Sequence, residues 1–420
     1  MRIAMVASGS RGDAQPLVVL ADELRRRGHD VVLGLPPNFV DFGERAGIQT
    51  RAVGPNTQEF LTSTQGQRYL ASGNAAAFTK ALGEVIHDNA AALDSDTLDV
   101  CEDADVVVAG SLGEHRAACV AEARGVRLVC VHYVPVRPTR AYPNMLVTTR
   151  SLPGVVNRAT HALFQRMYWR SMREDINHFR AQLDLPATAA PTATRLAAAG
   201  TLELQAYHRA LVPALTDYPA HRPIIGFVVM GPELRERLGE GRSDPQLDEW
   251  LADGPPPAYV GFGSMPVLDP EATMGMITRV ADRLDMRVLV GSGWSEWRAP
   301  EGAGDRIRVA RGVLDFDEVL PRCAVAVHHG GAGTVAAGVA AGIPTVVCSV
   351  VADEPFWGTR IQELELGAHE RYATLTDDRL EAAVRRALEP RVVERSRELG
   401  RVLRSDTGAA VRGADLIEAD

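Results

Sequence analysis

Lysine is all but absent from this chain of 420 residues. Lys80 stands alone among 45 basic side chains, leaving 44 arginines (45 − 1). Arginine and lysine differ chemically, but a bias along the whole chain reflects gene composition rather than a task for every arginine. Acids outnumber bases, 54 to 45, for a formal net charge of −9. That sign argues against nucleic acid as a partner. Cysteine is scarce as well. Cys101, Cys119, Cys130, Cys323 and Cys348 are odd in number, form no CxxC and mostly sit in apolar runs. They read as reduced core thiols of a cytoplasmic protein, not as a disulfide framework or zinc site.

Long apolar runs are also missing. No stretch approaches the ~18 apolar residues of a membrane helix. The start, Met1 to Asp13, has a short apolar run before glycine and charge, not the longer core and cleavage site of a signal peptide. A soluble protein is expected, with membrane contact at most peripheral. A dinucleotide fingerprint is absent too. The turn after the first strand, Gly9-Ser10-Arg11-Gly12-Asp13, is not GxGxxG, and no acid ends the second strand, Leu33-Gly34-Leu35-Pro36.

What is present is an α/β rhythm, in a chain long enough for about two or three domains. The apolar runs 3–7, 31–35, 105–109 and 128–131 and the more polar stretch 49–53 predict strands, with helices between them at 16–27, 38–46, 75–93 and 116–124. Strands alternating with helices imply a doubly wound parallel sheet. Residues 133–200 break the rhythm with a proline-punctuated loop and a long helix over 157–183. That helix carries Phe164, Tyr168, Trp169 and Phe179 together with Arg158, Arg166, Arg170 and Arg173. It reads either as a surface helix packing its aromatics inward, or as the wall of an apolar pocket or a membrane-surface contact. Proline-dense 213–223 reads as a linker. The rhythm then restarts with strands at 258–262, 287–290, 307–310, 324–327 and 344–351. The expected domains are 1–212 and 224–403, with 404–420 as a C-terminal helix packing back on the first.

The most informative stretch runs from Cys323 to Trp357. An apolar strand leads into His328-His329-Gly330-Gly331-Ala332-Gly333, a helix from Thr334, a second strand, and the pair Asp353-Glu354. A helix that begins with bare amides and follows a glycine turn suits a phosphate. The plain alternative is a glycine turn that holds nothing, but it does not account for the histidines before it or the acids after. Asp13, at the carboxyl end of the first strand, fits either a helix cap or a site residue. The turn at Gly263-Ser264 opens the second half in the same way. Asp94-Ser95-Asp96 and Asp315-Phe316-Asp317 both spell DxD, but acids beside helix ends are commonly caps, and no metal is expected.

The Cys323–Trp357 segment resembles the donor-binding signature of the family 1 (UGT-like) glycosyltransferases, especially the branch acting on bacterial natural products and sterols. That pattern is His-x-Gly-x-x-Ser/Thr, then Asp-Gln before an aromatic. It is matched here by His329, Gly331 and Thr334, then Asp353-Glu354 before Phe356-Trp357. The resemblance spans essentially the whole chain and is sharpest at 8–16, 259–265 and 324–360. It implies a GT-B fold, two facing Rossmann-like domains with the active site in the interdomain cleft. It implies inverting, metal-independent transfer of a hexose or deoxyhexose from a UDP- or dTDP-sugar, a co-substrate and not a cofactor, to a hydroxyl of a lipophilic acceptor, by a monomer or homodimer. Asp13 is then the general base, with His115 or His132 as substitutes. Ser10, Arg11, Ser264, His329, Gly331, Ala332, Gly333, Thr334, Asp353 and Glu354 hold the donor, while His328 packs behind. Val313 stands where plant relatives carry a Trp under the base, so backbone contacts read the nucleobase. Glu354 in place of Gln bears on which sugar is taken. Two rival readings are an epimerase of the same fold and a non-catalytic sugar-nucleotide-binding partner.

Overall fold

The computed structural model describes residues 1–72, 75–240, 244–299, 306–310 and 312–419. It divides into two compact units. The first comprises Met1–Phe60, Ala75–Leu238 and Gly408–Asp420, and the second Leu61–Asn74 and Gly239–Thr407. Each is built on one six-stranded parallel sheet.

The first sheet contains β1 (Arg2–Val6), β2 (Asp30–Leu35), β3 (Gln49–Ala52), β4 (Val106–Gly110), β5 (Arg127–His132) and β6 (Leu202–Gln205). Their order is β3-β2-β1-β4-β5-β6. The second contains β7 (Ala258–Gly261), β8 (Val288–Gly291), β9 (Ile307–Ala310), β10 (Val325–His328), β11 (Thr345–Ser349) and β12 (Gly367–Arg371), ordered β12-β11-β10-β7-β8-β9. Helices cover the sheet faces, which is why the inner strands read as continuous apolar runs.

Two strands escape the sequence reading, β6 and β12, and both lie at sheet edges. Their sequences, LELQ and GAHER, are too polar to stand out as buried runs. In β6 the polar residues serve a buried cluster. Glu203 there meets Arg137 at 3.0 Å and Arg222 at 2.7 Å. Arg137 also forks onto both Glu114 oxygens, at 3.1 and 2.7 Å, and Glu114 meets His132 Nε2 at 3.1 Å. Burial acts to raise the Glu114 carboxyl, but Arg137 and His132 more than offset it and hold the group well below its ordinary range.

The segment 213–223 is not a free linker. Glu203 N–H donates to the His221 carbonyl at 2.8 Å, Gln205 N–H to Pro223 at 2.9 Å, and Ile225 N–H to Gln205 at 3.0 Å. Leu215 and Ile225 are buried. These edge bonds tie the segment to β6, and the division between units falls at Leu238. The final helix, Ala409–Glu418, packs on Arg11–Arg26 within the first unit. Arg27 meets its Asp415 at 2.7 Å and Glu418 at 2.6 Å.

The long helix runs from Gly154 to Gln182 and turns Trp169, Met172, Ile176 and Phe179 into the first core. The first of its two expected roles, inward packing of aromatics, is therefore realised. All five cysteines are free and buried. No described helix is long and apolar enough to cross a membrane.

Candidate active site

In each sheet the strand order reverses direction at one place, between β1 and β4 in the first and between β7 and β10 in the second. Open α/β sheets bind ligands in the crevice past the carboxyl ends of the strands at that switch point. Gly9–Asp13 follows β1, and the turns Phe262–Ser264 and His329–Gly331 follow β7 and β10. Those three turns therefore lie at the switch points of the two sheets, while Asp353 and Glu354 follow β11, one strand away.

In the second unit the two turns meet. β7 and β10 are paired with His328 opposite Gly261, so His329 emerges beside Phe262 and Gly263. Gly263 has φ +55, and a β-carbon there would lie 3.3 Å from the His329 Cε1. On its other side the imidazole leans over Gly331, where a β-carbon would come 2.6 Å from Nε2. Only glycine leaves room for the ring at that point.

Gly331 is the N-cap of the helix Ala332–Ala341, and no side chain caps that end. The first intrahelical bond is donated by Val335 N–H to the Gly331 carbonyl at 3.0 Å. The amides of Ala332, Gly333 and Thr334 therefore have no partner within the helix. The helix starts at Ala332, ahead of the expected Thr334, and this places all three at the turn. Gly333 is exposed, with open space where a side chain would stand.

The His329 Nδ1 is buried without a hydrogen-bond partner. Desolvation alone holds the imidazole down, at about 4. The ring is neutral near pH 7 in this state, and an anion placed against it would draw it back toward protonation. His328 is fully buried, with its Nδ1 accepting from Gly330 N–H at 3.0 Å. It shapes the turn and does not face it, as expected.

The two acids divide. Asp353 accepts from the indole N–H of the fully buried Trp357 at 3.1 Å. Burial raises its carboxyl to about 6, against the lowering pull of that indole and of the Ala332 amide. Asp353 thus belongs with the helix start. Glu354 does not. It is 2% exposed, and its Oε2 accepts from Val350 N–H at 2.6 Å and Val351 N–H at 3.1 Å. The expectation that Glu354 reads the sugar is corrected: its carboxylate closes the turn after β11 from within.

In the first unit, Ser10 and not Asp13 is the N-cap of the helix Arg11–Arg26, which begins at Arg11 and not at Pro16. Ser10 Oγ accepts from Gly12 N–H at 3.3 Å, and Asp13 Oδ2 accepts from Ser10 N–H at 2.9 Å. Together they form a capping box, with Asp13 in the third position. The Asp13 carbonyl accepts from the buried Tyr133 hydroxyl at 3.1 Å. Arg11 Nε donates to Gln15 at 2.9 Å, and its guanidinium lies 5.0 Å above the Phe42 ring. Ser10 and Arg11 are therefore engaged in local structure.

The two DxD sequences are spent elsewhere. Asp94 pairs with Arg116 at 2.6 Å, Asp96 accepts from Gly54 N–H at 3.0 Å, and Asp315 caps the short helix Phe316–Val319. His132 is enclosed in the Glu114 cluster, and burial lowers His115 to about 4. Val313 is half exposed. Sequence reasoning missed a third turn at the site, Ser292-Gly293-Trp294 after β8, where Trp294 N–H donates to the Gly263 carbonyl at 2.9 Å. Its signal was a Gly-Ser-Gly directly after an apolar strand.

Comparison with known proteins identifies both halves of the chain. The glycosyltransferase family 28 N-terminal domain matches residues 3–143, and the C-terminal domain of erythromycin biosynthesis protein CIII-like proteins matches residues 281–410. An uncharacterized glycosyltransferase of Mycobacterium leprae is 33% identical, covering 100% of this chain and 96% of its own. The O-mycaminosyltylonolide 6-deoxyallosyltransferase of Streptomyces fradiae is 32% identical, over 97% of this chain and 95% of its own. A sterol 3-beta-glucosyltransferase of Arabidopsis thaliana is 29% identical, over 98% and 66%. Among solved structures, the kitacinnamycin glycosyltransferase aligns with TM-score 0.70 at 22% identity, covering 99% of this chain and 98% of that one. Glycosyltransferase VinC in complex with dTDP aligns with TM-score 0.61 at 19% identity, covering 99% and 100%. At those identities the structures speak for the fold, which is GT-B. Full-length likeness above 30%, the two matching domains and the paired sheets together make this chain a member of the GT-B glycosyltransferases that join a family 28 N-terminal domain to a CIII-like C-terminal domain.

Proposed function

We propose that this glycosyltransferase moves a hexose or deoxyhexose from a UDP- or dTDP-sugar to a hydroxyl of a lipophilic small molecule, with inversion and without a metal. The observation that carries the reading is the meeting of His329 with Gly263 and Gly331 above a helix start whose first three amides have no partner within the helix. Departure of the diphosphate builds negative charge. The amides of Ala332 to Thr334, the positive helix end, His329 and the Ser264 hydroxyl are the groups that oppose that charge. They require no cation for that role. Asp353, beside the helix start, accepts from sugar hydroxyls.

Asp13 takes the proton of the acceptor hydroxyl as its oxygen attacks the anomeric carbon. The bond to the diphosphate breaks from the opposite face, hence inversion. The capping box and the Tyr133 hydroxyl hold Asp13 in place. A lipophilic acceptor is supported by the sterol named for the Arabidopsis relative, and the nucleotide by the dTDP bound to VinC.

The test is a screen of the purified protein with UDP- and dTDP-sugars against panels of hydroxylated aglycones, read by mass spectrometry. A product heavier than its aglycone by one sugar residue supports the proposal. Sugar-nucleotide isomerisation with no transfer would overturn it in favour of an epimerase.

A further inference from the structure

The helix Gly154–Gln182 has a second face that the core does not use. Val155, Val156, Leu163 and Met167 are 68%, 44%, 51% and 59% exposed. Val155, Ala159, Leu163 and Met167 recur every four residues and so form one stripe along the helix. Arg158, Arg166, Arg170 and Arg173 run beside it, all exposed. Among the described residues, none of these four arginines has a carboxylate partner. The helix carries no acid before Glu174. The preceding loop adds the exposed Arg140 and Arg150 and the exposed Val147.

We propose that this face is a docking surface for an anionic lipid bilayer. An apolar stripe flanked by unpaired arginines, on a chain of net charge −9, suits a surface that is apolar beneath and negative above. Side chains such as Leu163 and Met167 enter the headgroup boundary, and the arginines meet lipid phosphates. A second copy of this chain fits less well, because a two-fold interface through this face would bring the two arginine rows together. The helix lies on the bilayer and does not span it, since it is not apolar enough to cross.

The test is co-sedimentation of the full chain with phosphatidylcholine vesicles, with and without phosphatidylglycerol. Binding is expected only to the phosphatidylglycerol vesicles and is expected to weaken with added salt. Each arginine near such a surface contributes about fivefold to the affinity. The variant Arg158→Glu/Arg166→Glu/Arg170→Glu should therefore lose binding by more than a hundredfold. Leu163→Ser/Met167→Ser should weaken it while keeping the salt dependence. Both sets of substitutions are on an exposed face, so melting temperature and dTDP affinity should stay unchanged in each. Equal binding to neutral vesicles, binding untouched by the substitutions, or no binding at all would overturn the proposal. So would a dimer that dissociates in the arginine variant, since the occupant would then be a second copy.

Discussion

Gly263 stands so close to His329 that a β-carbon at position 263 would lie 3.3 Å from the imidazole Cε1. Two turns on different strands are thereby fitted to each other, and a left-handed φ of +55 at Gly263 makes that fit possible. Gly263→Val should strain the backbone and displace the ring. Affinity for dTDP or UDP, measured by calorimetry, is expected to fall at least tenfold, and His329→Ala should do the same while the protein stays folded. Unchanged affinity in both would remove the phosphate assignment and leave a structural turn.

Binding should also depend on pH in a definite direction. The free His329 is held at about 4 by desolvation, and a bound diphosphate raises that value. A proton is then taken up on binding, so affinity rises as pH falls from the raised bound value toward about 4. Calorimetry in buffers of different ionisation enthalpy should record the uptake, and His329→Gln should abolish it.

Asp13 has two roles that substitution separates. In Asp13→Asn an amide oxygen still accepts from Ser10 N–H, so the cap survives and the base is lost. Turnover should fall by about 10²–10⁴-fold with nucleotide affinity and melting temperature near wild type. Ser10→Ala should cost about 1 kcal/mol of stability with far less effect on turnover. Near-normal turnover in Asp13→Asn would reduce the residue to a helix cap.

Glu354 was expected to bear on sugar choice and is instead bonded to the Val350 and Val351 amides. Glu354→Gln keeps an acceptor for them, so sugar preference should not change. Glu354→Ala strands both amides and should cost about 1–3 kcal/mol in chemical denaturation. A changed sugar preference in the Gln variant would contradict the geometry.

Acid should destabilise the fold through its buried histidines. Burial holds His115 at about 4 and His328 at about 3, and lowers His161. Once unfolded, each takes up a proton near pH 6.5, whereas the folded chain does not until much lower. Stability is therefore lost as pH falls below about 6.5, with a slope approaching about 1.4 kcal/mol per pH unit for each histidine. Denaturant midpoints at about pH 7 and pH 5 measure it. A flat profile would show that these rings are protonated in the fold.

By itself the sequence determined the α/β class, ten of the twelve strands and the location of the two glycine turns. Buried parallel strands must be continuous apolar runs, and a phosphate turn must be small, so both leave marks that can be read along the chain. The strands β6 and β12 left no such mark, because edge strands tolerate polar residues and Glu203 is neutralised by arginines distant in sequence. The direction in which a side chain points was likewise settled only in three dimensions. Asp353 and Glu354 are neighbours of one chemical type, yet the turn after β11 sends one to the helix start and folds the other onto its own backbone. Ser10 and Asp13 were separate candidates until the helix start at Arg11 joined them in one capping box. The meeting of Gly263 with His329 depends on β7 lying beside β10, a pairing of strands far apart in sequence that only the folded sheet specifies.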